Sequence, residues 1–467
     1  LKLVKNMIYN TSFQLLSLIL PLITIPYISR VLTPEGVGIN AFTLSIANYF
    51  TLAGALGINL YGNREIASFQ KDKEKRSKVF WELVYLKFFS ATISLLVYLI
   101  FISFVKEWQI LYLLQGINLI ATMIDISWYF IGVEDFKKIV VRNAVVKLTT
   151  VALTFILIKD KSDLGLYIFL IAFSMFLGNL TVWPFLKNEI NYLSIKELNV
   201  FRHLKPALYL FLPQITMQIY LSLNKSMLGL MDSVHSAGYF DQSDKLIRVL
   251  FTIVTAIGGV FLPRLSSLFA EKKFEEAKIL TLKLLEISNA ISFLMISGTV
   301  AVSSSFAIFF FGKDFSAVGP LMAVQSIMVL LISYGNAFGG QYLLASHRTR
   351  SYTLSAVFGL IVNIIANIVL IPGMGAMGAI LSSVLTEFMV SFYQVYSLRD
   401  VFSPSEIFGG ILKYFLAALI STPLMYFLDL KLADNIINYG ILTIIGSSTY
   451  ILILVVLKAP VVKIIKR

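Results

Sequence analysis

Stretches of about twenty mostly apolar residues recur from one end of this chain to the other, separated by short polar segments. A helix of that length crosses the ~30 Å hydrocarbon core of a bilayer. Inside that core the backbone must satisfy its own polar groups, which leaves helices or closed barrels as the spanning structures. Hydropathy places fourteen spans, at 7–30, 38–62, 79–104, 108–131, 139–158, 164–186, 207–230, 244–270, 281–311, 319–345, 352–372, 376–398, 410–429 and 437–457. The expected fold class is an all-α polytopic membrane protein. The span at 281–311 is long enough to be tilted or partly interfacial. Nothing after the first apolar stretch resembles a small-residue cleavage site, so that stretch is expected to stay as a span.

Lysine and arginine set the orientation, because cytoplasmic loops collect them. With the N-terminus inside, the inside segments hold 28 of the 39 and the outside connections hold 6. Both termini are therefore expected in the cytoplasm, with the protein multi-pass in the cytoplasmic membrane. The same bias accounts for most of the net charge of +13 and removes the argument for a nucleic-acid partner. The chain has no cysteine, and its three histidines, His203, His235 and His347, are scattered. No metal site and no cofactor are expected.

The longest connection, around Pro206, separates two stretches that look alike. "PLITIPYISRVLTPEGVGINAF" opens the first and "PQITMQIYLSLNKSMLGLMDSVHSAGYFDQ" the second. Each has a proline with Ile-Thr two residues on, then a polar interruption and a small-residue turn. A parallel internal repeat leaves such traces. The expected layout is an N-terminal six-helix lobe over 1–205 and a C-terminal six-helix lobe over 206–398. Two extra helices and a tail follow over 399–467. The two lobes would be pseudo-symmetric around a central cavity.

Several spans carry polar residues along one face. The first has Asn10, Gln14, Ser17, Pro21 and Thr24, and the fourth has Gln115, Asn118, Thr122, Asp125 and Tyr129. Asn143, Lys147, Thr150 and Thr154 follow in the fifth, and Gln214, Gln218, Ser222 and Lys225 in the seventh. The eighth has Asp241, Asp244, Lys245, Arg248, Thr252 and Thr255, and the eleventh has Asn363 and Asn367. Hydrogen bonding between helices is one use for such residues. So many stripes, in both halves, also fit the lining of a water-filled cavity.

The charged positions are the costlier ones, at about +2.5 kcal/mol or more for a lysine in hydrocarbon. Arg30, Lys87, Lys147, Lys225, Lys245 and Arg248 outnumber the nearby carboxylates Asp125, Asp244 and Glu387. A basic lining suits an anionic substrate, since arginine grips phosphate with two parallel bonds and lysine acts as a point charge. Pairing Lys225 with Asp232 or Asp244 is the structural alternative, and snorkelling toward the interface is the alternative for Lys87.

These residues resemble the polysaccharide transporter branch of the MOP flippase superfamily, the Wzx-type flippases. "ISRVLTPEGVGINAF" supplies Arg30, Leu32, Glu35 and Gly38 at the expected places, with Thr33 where glycine is common. "NKSMLG" stands for an Asp-Lys-x-x-Leu-Gly pattern, with Asn224 in the acidic place. "SAGYFDQSDKL", "FLPRLSSLF" and "IPGMGAMGAILSS" complete the likeness, which covers about residues 5 to 400.

The resemblance implies an undecaprenyl-diphosphate-linked oligosaccharide as substrate, carried from the inner to the outer leaflet by alternating access, for capsule or exopolysaccharide. The basic residues would hold the diphosphate. Asn10, Gln14, Gln115, Asn118, Asn143, Gln214, Gln218, Asn363 and Asn367 would meet the sugar. It also implies membrane lipids and polysaccharide polymerases as partners, and an H+ or Na+ counter-ion at Asp125, Asp244 or Glu387. In the fourteen-span members the last two helices form a groove for the lipid tail, which would fall at 410–457. The competing readings are a teichoic-acid precursor flippase, a multidrug cation antiporter and a membrane glycan polymerase. The antiporter would want an acidic cavity. The polymerase would want a larger outer loop with catalytic groups, so the chain is not expected to be an enzyme.

Overall fold

The computed structural model describes the backbone of residues 2–187 and 189–465 and, within these, all side chains except those of residues 2–15, 18, 212–217, 220, 221 and 465. The chain divides into two compact units, Leu1–Ser226 and Met227–Arg467.

The first unit opens with α1 (Lys2–Ala55), α2 (Ile58–Ser68), α3 (Lys73–Phe104), α4 (Gln109–Met123), α5 (Ser127–Gly132), α6 (Phe136–Leu157) and α7 (Leu164–Leu180). Short 3₁₀ turns at Ile195–Glu197 and Val200–His203 lead into α8 (Leu204–Met231), within which the unit boundary falls. The second unit continues with α9 (Val234–Ala270), α10 (Phe274–Phe311), α11 (Val318–Gln325) and α12 (Ile327–Tyr334), then a π-helical stretch over Gly335–Leu343. It ends with α13 (Thr349–Tyr396), α14 (Pro404–Phe408), α15 (Ile411–Asp429), α16 (Ile436–Val456) and α17 (Pro460–Ile465). Among the described residues every regular element is helical.

Eleven helical segments are long and apolar enough to cross a membrane. Two of them are each a pair of spans. In α1 the helix breaks at Thr33, with φ 59° and ψ 172°, immediately before Pro34. A residue preceding proline is pushed out of the helical region. In α13 it breaks at Gly375, φ 51° and ψ −128°, where a side chain would in any case press on Asp232. With those two divided and the 28 residues of α8 added, the fourteen expected spans are all present.

Two local readings are corrected. The polar face expected to run unbroken from Gln115 to Tyr129 stops at Thr122, because α4 ends at Met123 and α5 starts at Ser127. Asp125 causes the break. Its Oδ1 accepts the Ser127 amide at 3.0 Å, while Tyr129 N bonds to Ile126 O, at 3.0 Å, rather than to the Asp125 carbonyl. The second correction is the start of the eighth span. It begins at Val234, ten residues earlier than the expected 244, capped by Ser233 Oγ, which accepts the Ser236 amide at 3.2 Å. The early turns carry Asp241 and Asp244, which pair with Lys245 and Arg248 one turn on. Charges that neutralise each other along one helix face do not end the helix.

The core of the first unit gathers around Phe80, Trp128, Tyr129 and Phe130, with Phe80 and Trp128 stacked at 5.6 Å between ring centres. Beside it lies a fully buried carboxylate, Glu82. It accepts His203 Nε2 at 2.9 Å, the Asn199 amide at 2.8 Å and an Arg202 guanidinium nitrogen. His203 Nδ1 in turn meets Tyr61 OH at 2.8 Å. The segment before α8 is thereby fastened to α3 and α2.

Candidate functional site

Within the first unit, four helical segments line an open cavity of about 600 Å³. Leu20, Pro21 and Thr24 of α1 form one wall and the α4–α5 break supplies Asp125 and Ser127. The face of α6 at Asn143, Val146, Lys147 and Thr150 follows the i, i+3, i+4, i+7 spacing of one helix side. On α7, Ile171, Ser174, Met175 and Gly178 repeat that spacing. The two helices can approach because residue 178 has no side chain. A Cβ there would sit 3.0 Å from a Val146 methyl.

Arg142 crosses one end of the cavity. Its Nε donates to Asn143 Oδ1 at 2.9 Å, and its Nη1 donates to Asn179 Oδ1 at 3.0 Å. Asn179 is held by its own donation to the Ala121 carbonyl, at 2.8 Å. The guanidinium is thus braced by neutral amide oxygens, with Asp125 near enough to attract it. Lys147, one and a half turns along, donates to Ser17 Oγ at 2.8 Å.

Behind the cavity, Lys87 holds the α4–α5 break. Its ammonium donates to Asn59 Oδ1 at 3.0 Å, to the Asp125 carbonyl at 2.8 Å and to Asp125 Oδ2 at 3.4 Å. Its side chain is only 1% exposed, so it does not snorkel to the interface. Lys87 cancels the Asp125 charge, and the cavity itself keeps two cations, Arg142 and Lys147. Around them stand the neutral hydroxyls and amides of Thr24, Ser127, Asn143, Thr150, Ser174 and Asn179. The rest of the lining, Leu20, Pro21, Val146, Val151, Ile171 and Met175, is apolar, so the cavity offers two cations and a set of neutral hydrogen-bonding groups on an apolar wall.

The remaining expected site residues fall elsewhere. Gln115 is buried against α1, donating to Asn40 Oδ1 at 3.2 Å, and Asn118 donates back to Gln115 at 3.0 Å. Asn363 and Asn367 are fully buried along α13. Asn363 donates to Thr386 Oγ1, and Asn367 donates to Asn363. These four amides bond between and along helices. Arg30 is exposed and reaches the Pro26 carbonyl at 3.4 Å. On α9, Lys245 pairs with Asp241, and Arg248 Nε pairs with Asp244 at 2.7 Å. Gln325 also donates to Asp244, at 3.2 Å. The charges of that face therefore balance, where an excess of base is expected. Lys225 is half-buried between buried Asn224 and Ser226, and Ser226 shares a 2.6 Å hydrogen bond with Tyr49 OH. Gln218 is exposed and Glu387 half-buried. Asn10, Gln14 and Gln214 lie outside the residues whose side chains are described.

Sequence reasoning brings Lys87, Asp125, Asn143 and Lys147 to this region but misses Arg142 and Asn179. Arg142 is counted with the cytoplasmic loop charges. The signal for it is the Arg-Asn pair five residues before Lys147, inside one helix.

The sequence model of the family described as "Polysaccharide biosynthesis protein" matches residues 3–269. A Shigella dysenteriae protein described as "Putative O-antigen transporter" is 25% identical over 383 residues, 81% of this chain and 96% of that one. An Escherichia coli (strain K12) protein of the same description is 23% identical over 414 residues, covering 86% and 97%. Among solved structures, the lipid II flippase MurJ in an inward closed conformation superposes with a TM-score of 0.77 at 16% identity, over 96% of this chain and 98% of that one. An inward-facing multidrug resistance MATE family transporter of the MOP superfamily gives 0.60 at 14% identity, over 82% and 96%. The structural likenesses show that the chain shares the fold of these two transporters, and the match over more than half of its length shows that it belongs to the polysaccharide biosynthesis protein family.

Proposed function

We propose that this protein is a flippase for a lipid-diphosphate-linked oligosaccharide, moving the repeat unit from the inner to the outer leaflet of the cytoplasmic membrane for capsule or exopolysaccharide. One observation carries the reading: Arg142 and Lys147 stand in a cavity inside a membrane lobe, among hydroxyls and amides, with Asp125 neutralised by Lys87. A diphosphate would take the two cations, and sugar hydroxyls would take Asn143, Ser174 and Asn179. Relatives described as O-antigen transporters support the substrate class. The net positive lining disfavours a cationic drug.

Alternating access is the proposed mechanism, with both termini cytoplasmic. Of the carboxylates considered for counter-ion coupling, Asp125 borders the cavity and Asp244 is held by Arg248. The exposed apolar faces of α15 and α16, with Leu412, Phe415 and Ile451, stand as the tail groove.

The test is binding of undecaprenyl diphosphate to the purified protein by native mass spectrometry, with a hydrophobic cation as competitor. Arg142→Ala and Lys147→Ala are each expected to weaken lipid diphosphate binding about tenfold, roughly 1.4 kcal/mol. Unchanged binding in both variants, or preference for the cation, overturns the assignment.

A further inference from the structure

The first unit has a second cavity of a different kind. It measures about 530 Å³ and is lined by Tyr49 and Phe50 of α1, by Leu56 just after it and by Leu86, Phe89, Ile93 and Val97 of α3, among others. Phe201 and Leu204 lie at one end. Its few polar groups are turned away from it. Ser90 Oγ donates to the Gly54 carbonyl and Ser94 Oγ to the Phe50 carbonyl, both at 2.6 Å, and Tyr49 OH is engaged by Ser226. What remains facing the groove is hydrocarbon. Phe89, Ile93 and Val97 are all about half exposed along it.

Two measures fix what fits. From Leu86 to Val97 the helix rises ~17 Å at 1.5 Å per residue. That is about half of the ~30 Å hydrocarbon core, the reach of one leaflet's acyl chain. A C55 isoprenoid is far longer than such a groove. The polar level at one end is marked by Glu82, a turn before Leu86 on α3 and bonded to Arg202. At that end Phe201, packed edge-on against Phe89 at 5.8 Å, is followed by Arg202 and Leu204 by Lys205. Since Glu82 absorbs the charge of Arg202 there, the exposed Lys205 leaves a positive charge that suits an anionic headgroup.

We infer that this groove binds one acyl chain of an anionic phospholipid in the leaflet on the side of Lys205, its phosphate meeting the start of α8. The site is separate from the polar cavity and does not depend on the substrate proposed for it.

The experiment takes the full-length protein in detergent, stripped of co-purified lipid. It is titrated in native mass spectrometry with phosphatidylglycerol, with phosphatidylethanolamine and with undecaprenyl phosphate. Ile93→Trp fills the groove from a half-exposed position. Ile156→Trp, on the exposed face of α6 and outside the groove, is the control. Wild type and the control should hold one phosphatidylglycerol in preference to phosphatidylethanolamine. Ile93→Trp should lose that lipid about tenfold while keeping the thermal midpoint of the control. Lys205→Gln should weaken it about fivefold, the worth of one surface cation near anionic lipid. Equal retention by Ile93→Trp and wild type overturns the proposal. So does equal affinity for the zwitterionic lipid, or a wild-type preference for undecaprenyl phosphate that Ile93→Trp abolishes.

Discussion

Lys87 shows how one residue can be both expensive and required. Its ammonium is almost fully buried, yet it has three oxygen partners, two of them on Asp125. Removing one member of a buried pair typically costs about 3–5 kcal/mol, because the other is left charged without compensation. Lys87→Ala is therefore expected to lower stability strongly, and Lys87→Ala/Asp125→Ala less than the sum of the single changes. A double-mutant cycle on denaturation in detergent reads the coupling. Strict additivity would sink the idea that the pair is a unit. The sequence places Lys87 and Asp125 at a shared depth, but not that the lysine serves Asp125 rather than a ligand. That depends on where α4 ends, which a helical wheel drawn through Asp125 conceals. Arg142 is invisible for the opposite reason. A charge near the end of a span looks like a loop charge until α6 is seen to carry it beside Asn143 and Asn179.

At the scale of the element, apolar length settles nearly all of the helices, since membrane thickness imposes it. Breaks and early starts are set by side-chain chemistry that hydropathy averages away, as at Asp125 and at the self-paired charges of α9. The break in α1 is the clearest case. Thr33 adopts φ 59° and ψ 172°, a region that suits glycine alone. The family resemblance has glycine commonly at this place, and the backbone supplies the reason. Such strain costs of order 1–3 kcal/mol in a β-branched residue. Thr33→Gly should raise the thermal midpoint in detergent. An unchanged or lowered midpoint would show that the turn carries no strain.

At the scale of the whole molecule, the charge bias between loops makes the most direct claim, that both termini and the 63–78 loop face the cytoplasm. The absence of cysteine makes it easy to check, because any single cysteine introduced is the only thiol. Lys75 and Lys161 are exposed and lie in connections on opposite sides of the expected layout. In intact cells, a membrane-impermeant maleimide should label Lys161→Cys and spare Lys75→Cys, with the pattern levelled once the membrane is opened. The reverse pattern would invert the orientation. The all-α, many-span fold was legible in the sequence because span length is a one-dimensional signal. The polar cavity was only partly so, since it is assembled from α1, the α4–α5 break, α6 and α7, and no linear pattern records which faces meet.

If the proposed flippase holds its diphosphate at Arg142, the bracing of that residue by two asparagines bears on turnover. A bare guanidinium in a membrane would seize a phosphate and hold it, and a carrier that cannot let go stops after one cycle. With amide oxygens already seated on its nitrogens, an arriving anion exchanges one set of partners for another, and a departing one is replaced just as readily. On that proposal the asparagines would act as resident stand-ins for the cargo, which would keep both capture and release shallow.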